Sequence, residues 1–151
     1  MAPLVTDEKA YDDMCTQLHR IGYDNIIGYL YGGIASWQEM GLPIAQLWQI
    51  SAARLKKKLD TADHKRLTDV RTPAEWTAGR IEAAEHLPLT QLLKGAPDIP
   101  KDEELIVTCG MGYRGNIAAS FLQGQGFKHV HSLAGGMKAW INAGFPVETA
   151  I

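Results

Sequence analysis

Apolar and polar positions along this chain switch between a two-residue and a helical period, and each switch marks an element. The clearest is residues 104–108, ELIVT, a short apolar run with the character of a buried strand. Residues 64–70 end in RLTDV and predict a second strand, residues 130–133 a third, and residues 85–88 a short strand or extended stretch. Helices are expected between them. Ser51 stands as N-cap for AARLKKKL (52–59), and Pro73 suits the first turn of PAEWTAG. Residues 89–94 predict a short helix closed by Gly95, residues 115–123 a helix stopped by Gly124 and Gly126, and residues 137–143 a final one. Strands alternating with helices predict an α/β fold, a parallel sheet with helices on both faces. Ligands in such sheets bind beyond the carboxyl ends of strands, where Cys109 follows ELIVT.

The pattern also repeats. Residues 22–44 read GYDNIIGYLYGGIASWQEMGLPI, and residues 126–147 read GFKHVHSLAGGMKAWINAGFPV. Each has Gly-aromatic, a β-rich run, Gly-Gly, a helical stretch carrying Trp, then Gly-x-Pro. Upstream, residues 4–13 (LVTDEKAYDD) align with residues 106–115 (IVTCGMGYRG). Two copies of one domain, the first truncated, explain this better than a solenoid does. Residues 1–44 then supply strand, helix, strand and helix, half a domain, which is expected to pack on the rest of the chain or across a dimer. The expected division is residues 1–46 and 47–151, joined near 45–49.

Composition narrows the function. Of 151 residues 46% are hydrophobic and 21% charged, too apolar for a disordered chain, and the formal net charge of −2 offers no basic field for nucleic acid or anionic membrane. The first copy is acidic, with Lys9 and Arg20 against Asp7, Glu8, Asp12, Asp13, Asp24 and Glu39; Lys56, Lys57 and Lys58 make the one basic run, read as a solvated helix face. No stretch reaches the roughly 20 apolar residues of a membrane span, and no signal-like segment opens the chain, so a cytoplasmic protein is expected. Cys15 and Cys109 lie far apart, without zinc-type spacing, so neither a disulfide framework nor a metal site is expected. His129 and His131 alternate as edge or surface histidines on a strand.

The chemistry concentrates in Cys109-Gly110-Met111-Gly112-Tyr113-Arg114. A cysteine leaving a buried strand into a glycine-rich loop and a helix meets three conditions that favour a thiolate. Backbone N–H groups curl around the sulfur, the helix N-terminus adds partial positive charge, and Arg114 adds a full one. The competing reading, a buried structural cysteine beside an ordinary glycine turn, suits a lone cysteine better than this spacing.

Four blocks in order then resemble the rhodanese family of sulfurtransferases, across about residues 50–147. They are DVRTPAEWTAG (69–79), GRIEAAEHLP (79–88), the loop 109–114, and LAGGMKAW (133–140). Arg80 departs from the family's usual histidine and Ala83 from its usual glycine. The resemblance implies a rhodanese-like parallel sheet and persulfide chemistry without a cofactor. Cys109 would take sulfane sulfur from thiosulfate or a low-molecular-weight persulfide and pass it to a thiol or cyanide acceptor. The N–H groups of Gly110, Met111, Gly112, Tyr113 and Arg114 would hold the persulfide, and Arg114 would orient an anionic donor. Asp69 and Arg71 are candidate substrate-binding residues; Arg71 contacts substrate or pairs with Glu75. Trp37, Trp76 and Trp140 read as core aromatics.

In the first copy Asp7 stands where Cys109 stands in the second, so this half resembles an inactive, degenerate rhodanese repeat, with Cys15 a buried small hydrophobe. Such tandems resemble the region behind a metallo-β-lactamase-like persulfide dioxygenase domain, which makes that domain, or a homodimer, the expected partner. Two other readings stand beside the enzyme. One is a noncatalytic sulfur-sensing or protein-interaction module. The other is a cysteine phosphatase, whose loop has five residues between cysteine and arginine where this one has four.

Overall fold

The computed structural model describes residues 8–20, 22–63 and 66–149, which fall in two compact units, Met1–Gln46 and Leu47–Ile151. In the first unit, α1 (Glu8–Arg20) and α2 (Gly33–Glu39) are the regular elements among the described residues. The Tyr11 and Tyr29 rings pack at a 34° tilt with centroids 4.7 Å apart, and Trp37 Nε1 donates to the Pro43 carbonyl at 2.9 Å. The strand expected between the helices does not form among the described residues: residues 23–30 make no ladder there, and an extended segment becomes a strand only beside a pairing neighbour. The expected strand over residues 4–6, and Asp7 with it, lie outside the described residues. Cys15 sits on α1 half-buried, not buried, within hydrogen-bonding reach of Tyr11.

The second unit is a five-stranded, wholly parallel sheet in the order β1-β5-β4-β2-β3. Its strands are β1 (Trp48–Ile50), β2 (Arg66–Asp69), β3 (Ala84–His86), β4 (Glu104–Thr108) and β5 (His129–Leu133). The helices are α3 (Ala52–Asp60), α4 (Pro73–Ala78), α5 (Leu89–Leu92), α6 (Tyr113–Gly124) and α7 (Gly136–Asn142). Helices cover both faces. Leu55 of α3 with Met137 and Trp140 of α7 pack on Leu67, Ile106 and Leu133. Leu92 of α5 with Ala118, Ala119 and Leu122 of α6 pack on Leu105, Val107 and Val130. Successive β4 residues therefore serve opposite cores, and that is why ELIVT reads as an unbroken apolar run.

Local signals set several boundaries. Ser51 Oγ accepts from Arg54 N at 3.3 Å at the start of α3. Thr72 and Glu75 form a reciprocal capping box around Pro73 at the start of α4. β1 was not expected; it is a three-residue edge strand paired to His131, Ser132 and Leu133, with Trp48 and Gln49 exposed. Trp140 is buried and donates to the Pro146 carbonyl at 2.8 Å, whereas Trp37 and Trp76 are half-buried. Arg80, at the family's histidine position, lies over the Trp76 ring and pairs with Glu148 at 2.9 Å. Among the described residues no helix is long and apolar enough to cross a membrane, and no group of three or more His, Cys, Asp or Glu is placed to hold a metal ion.

Candidate active site

Cys109 is 1% exposed at the carboxyl end of β4, the central strand. The chain turns at once through Gly110, Met111 and Gly112 into α6, and the Gly112 N–H donates to Cys109 Sγ at 3.1 Å. Gly112 holds φ 99°, a conformation that glycine adopts without the cost of a Cβ. The N–H groups of Tyr113, Arg114 and Gly115 open α6 and have no acceptor inside the helix. The sulfur therefore sits beneath the positive end of a twelve-residue helix.

The loop is held from its other side by α7. Met137 N–H donates to the Cys109 carbonyl at 2.7 Å and Lys138 N–H to the Gly110 carbonyl at 3.0 Å. Those two bonds fix the Cys109 and Gly110 carbonyls against α7, so the loop that brings the Gly112 N–H to the sulfur is held from both sides. Gly136 permits the approach: a Cβ there would overlap the Cys109 carbonyl oxygen and lie 2.9 Å from its carbon. Sequence reading found the LAGGMKAW block but assigned these residues no part in the site.

Arg114 is not free. Its Nη1 donates to Glu75 Oε2 at 2.8 Å and its Nη2 to Glu75 Oε1 at 2.6 Å, a bidentate pair. Glu75 also accepts from the Thr72 N–H at 3.1 Å and its hydroxyl at 2.8 Å. A Cβ on Gly110 would lie 3.2 Å from Arg114 Nη2 and 3.5 Å from Glu75 Oε1, so the ion pair roofs the loop. Hydrogen bonds from Arg114, then from Thr72, lower the Glu75 pKa from 4.5 to about 2 against the opposing effect of burial. A depressed folded-state value means that the pair's contribution is full above about pH 4.5 and is lost as pH falls toward about 2. The stability difference between wild type and Glu75→Gln, from urea unfolding, should stay constant from pH 8 to pH 5 and shrink below about 4.5.

Asp69 and Arg71 come together with each other, not with Glu75. Asp69 is fully buried and Arg71 is 6% exposed. Arg71 donates through Nε and Nη2 to the Asp69 carboxylate, at 2.7 Å for the closest contact, and its Nη2 also reaches the Gly79 carbonyl at 2.7 Å. The Arg71 N–H donates to Asp69 Oδ1 at 3.0 Å, and the Arg71 carbonyl bonds His86 Nε2 at 2.9 Å. Register places Asp69 beside Thr108, so this buried pair braces the strand end next to the cysteine.

Ser132 of β5 faces the same core as Cys109, fully buried, and its hydroxyl has no hydrogen-bond partner among the described residues. A Cβ on Gly115 would meet Ser132 Oγ at 2.9 Å and Cys109 Sγ at 3.7 Å, so the two side chains crowd one helical turn. Removing an unpartnered buried hydroxyl costs nothing in lost bonds. Ser132→Ala should therefore be neutral or stabilising by up to about 1 kcal/mol in thermal unfolding. Met111, Tyr113 and Ile117 stand 58%, 75% and 53% exposed around the loop and the first turn of α6. A cleft of about 370 Å³ bounded by Leu59, Ile81, Trp140 and Val147 contains none of the loop residues. His129 and His131 lie on β5, with His131 3.8 Å from Glu104, at the amino end of β4 and away from the loop.

The chain is similar to a sulfurtransferase of Allochromatium vinosum, 34% identical over 99 residues, which cover 66% of this chain and 92% of that protein. It is similar to the thiosulfate sulfurtransferase GlpE of Ectopseudomonas mendocina, 39% identical over 84 residues, 56% of this chain and 76% of that one. Among solved structures, a rhodanese-related protein from Thermoplasma volcanium superposes with TM-score 0.60 at 29% identity, covering 67% of this chain and 97% of that one. The Rhodanese-like domain family matches residues 51–143, a stretch running from the N-cap of α3 to the end of α7 with Cys109 at its centre strand, and the chain belongs to that family.

Proposed function

We propose that the chain is a sulfurtransferase that carries sulfane sulfur from thiosulfate or a low-molecular-weight persulfide to a thiol or cyanide, as a persulfide on Cys109. The observation that carries this reading is the Cys109 sulfur bonded by the Gly112 N–H under the start of α6. The Cys109 thiolate attacks the outer sulfur of the donor. Its electron pair forms the new S–S bond, and the donor's S–S bond breaks with its pair leaving on sulfite or on a thiolate. The persulfide's terminal sulfur then lies over the loop, where the N–H groups of residues 110–114 stabilise its charge. An acceptor thiolate or cyanide attacks that sulfur and Cys109 leaves as thiolate, which closes the cycle. Asp69 and Arg71, occupied by each other, support the strand end in this reading and do not bind the donor.

Cys109→Ser should lower thiocyanate formation from donor and cyanide by at least about 10³-fold, since a serine hydroxyl stays protonated at neutral pH and forms no persulfide. If the domain is instead a sensing or interaction module, wild type shows no turnover and partner binding survives the substitution. The phosphatase reading draws on similarity to a structure from Rhodopseudomonas palustris, described as a possible tyrosine phosphatase, at 25% identity and TM-score 0.60. Four residues between Cys109 and Arg114, and an arginine already held by Glu75, favour sulfur over a phosphoryl group.

We read residues 1–46 as the C-terminal half of a degenerate, inactive repeat of the same domain. Matching local geometry supports this: Gly32 and Gly135 both hold φ 71°, and each precedes a seven-residue helix. Trp37 reaches the Pro43 carbonyl just as Trp140 reaches that of Pro146. Exposed Ile27, Tyr31 and Met40 favour a covered surface, in a homodimer or beside a persulfide dioxygenase domain, in a cytoplasmic protein.

A further inference from the structure

We propose that the Ser132 hydroxyl is a hydrogen-bond donor held for the Cys109 sulfur in its charged form, and that Ser132 thereby sets how readily Cys109 attacks and leaves. Its effect on sulfur transfer rests on the sulfurtransferase reading; its bond to the thiolate does not.

Among the described residues, Ser132 Oγ is the buried side-chain oxygen left without a hydrogen-bond partner. Burying a hydroxyl without a compensating bond costs stability, so an exception in a core calls for an explanation. The surroundings supply one. Ser132 lies on β5 beside Val107, two residues before Cys109 on β4. Its neighbours on that face, Val107, Val130, Ala118 and Ala119, have no acceptor in their side chains, and Cys109 has. Gly115, in the first turn of α6, leaves the gap between the two open. The point where a Cβ would stand on Gly115 is 2.9 Å from Ser132 Oγ and 3.7 Å from Cys109 Sγ. With no side chain there, the hydroxyl has room to turn to the sulfur. A neutral thiol is a weak acceptor, which leaves the hydroxyl unpaired at rest. A thiolate is a strong one, and bonds to an ionised acceptor are roughly twice as strong as neutral ones.

The bond acts on both halves of the cycle. A stabilised thiolate is available for attack on the donor at lower pH. When the acceptor takes the outer sulfur, the S–S bond breaks with its electron pair returning to Sγ. The Ser132 hydroxyl donates to that returning charge and keeps its own proton, which makes Cys109 the better leaving group.

The test follows alkylation of Cys109 by iodoacetamide across pH, in a Cys15→Ser background so that one thiol reports. Ser132→Ala should move the midpoint of that profile up by about one pH unit, which corresponds to roughly 1.4 kcal/mol. The charged and titratable groups around Cys109 are Arg114 on α6, Glu75 on α4, Asp69 and Arg71 at the end of β2, His86 on β3 and Lys138 on α7. All of them stay in the variant, so a hydroxyl that merely fills space leaves the midpoint where it is. Gly115→Ala keeps the hydroxyl but sets a methyl against it, and should move the midpoint the same way. That second variant keeps the test decisive if Ser132→Ala folds poorly. Release of sulfur from preformed Cys109 persulfide to cyanide should slow by about threefold in both. Midpoints within about 0.3 pH unit of wild type in the folded variants overturn the inference and leave sulfur transfer intact. A shifted midpoint in a protein that takes no sulfur from thiosulfate or glutathione persulfide upholds the Ser132 bond and overturns the sulfurtransferase reading.

Discussion

Gly136→Ala should inactivate the domain more thoroughly than any substitution of similar size. The residue holds φ 57°, where a Cβ costs about 1–2 kcal/mol, and the methyl would overlap the Cys109 carbonyl oxygen. The obstructing atoms are backbone, so no side chain can turn aside; overpacking adds roughly 1–3 kcal/mol. The chain relieves the clash by moving α7 away from the loop, which breaks the bonds from Met137 N–H and Lys138 N–H to the Cys109 and Gly110 carbonyls. The loop then loses the anchor that holds it in place while the Gly112 N–H bonds the sulfur. We expect a stability loss of about 2–5 kcal/mol in urea unfolding. We also expect sulfur transfer to fall by about 10²-fold in whatever fraction stays folded, the usual effect of misplacing a reacting group by about 1 Å. Full activity in a folded Gly136→Ala protein would mean that α7 does not organise the loop.

Asp69→Asn should have a comparable effect on stability through a different cause. The substitution keeps the shape and removes the charge, leaving the Arg71 guanidinium 6% exposed and unable to deprotonate. Breaking a buried pair by losing one partner costs about 3–5 kcal/mol, a large part of the roughly 5–15 kcal/mol that holds a domain of this size. Replacing both residues with apolar ones of similar volume should recover most of that loss, because the penalty comes from the stranded charge. The same measurement separates two roles. If Asp69 and Arg71 contact the donor, Asp69→Asn raises KM and leaves the unfolding midpoint in place; if they brace the strand end, the midpoint falls and KM for the folded protein holds.

The legible parts of this molecule are those where the cause is local in sequence. ELIVT announces β4 because both sheet faces are covered, and Ser51, Pro73 and the capping box mark helix starts through contacts three residues long. β1 was missed because a three-residue edge strand with exposed Trp48 and Gln49 carries no apolar run. The strand expected at residues 23–30 failed for the converse reason: its apolar run is real, but pairing depends on a neighbour that local pattern does not report. At the site, the cysteine, the loop and the arginine were visible as a spacing. The partner of Arg114 was not, since Glu75 lies 39 residues away and only the sheet brings them together. The sequence leaves Arg71 between substrate and Glu75, and the structure gives it to Asp69. Thr72 follows Arg71 as an extended N-cap, which takes Arg71 off the helix and lets it fold back onto Asp69.

The central claim is that Cys109 carries the sulfur, and intact-protein mass measures it directly. The protein is incubated with thiosulfate, and separately with glutathione persulfide, under non-reducing conditions. The account predicts a gain of one sulfur atom, reversed by cyanide or a thiol, absent in Cys109→Ser and retained in Cys15→Ser. No gain with either donor while Cys109 is reduced, or a gain that survives in Cys109→Ser, contradicts it.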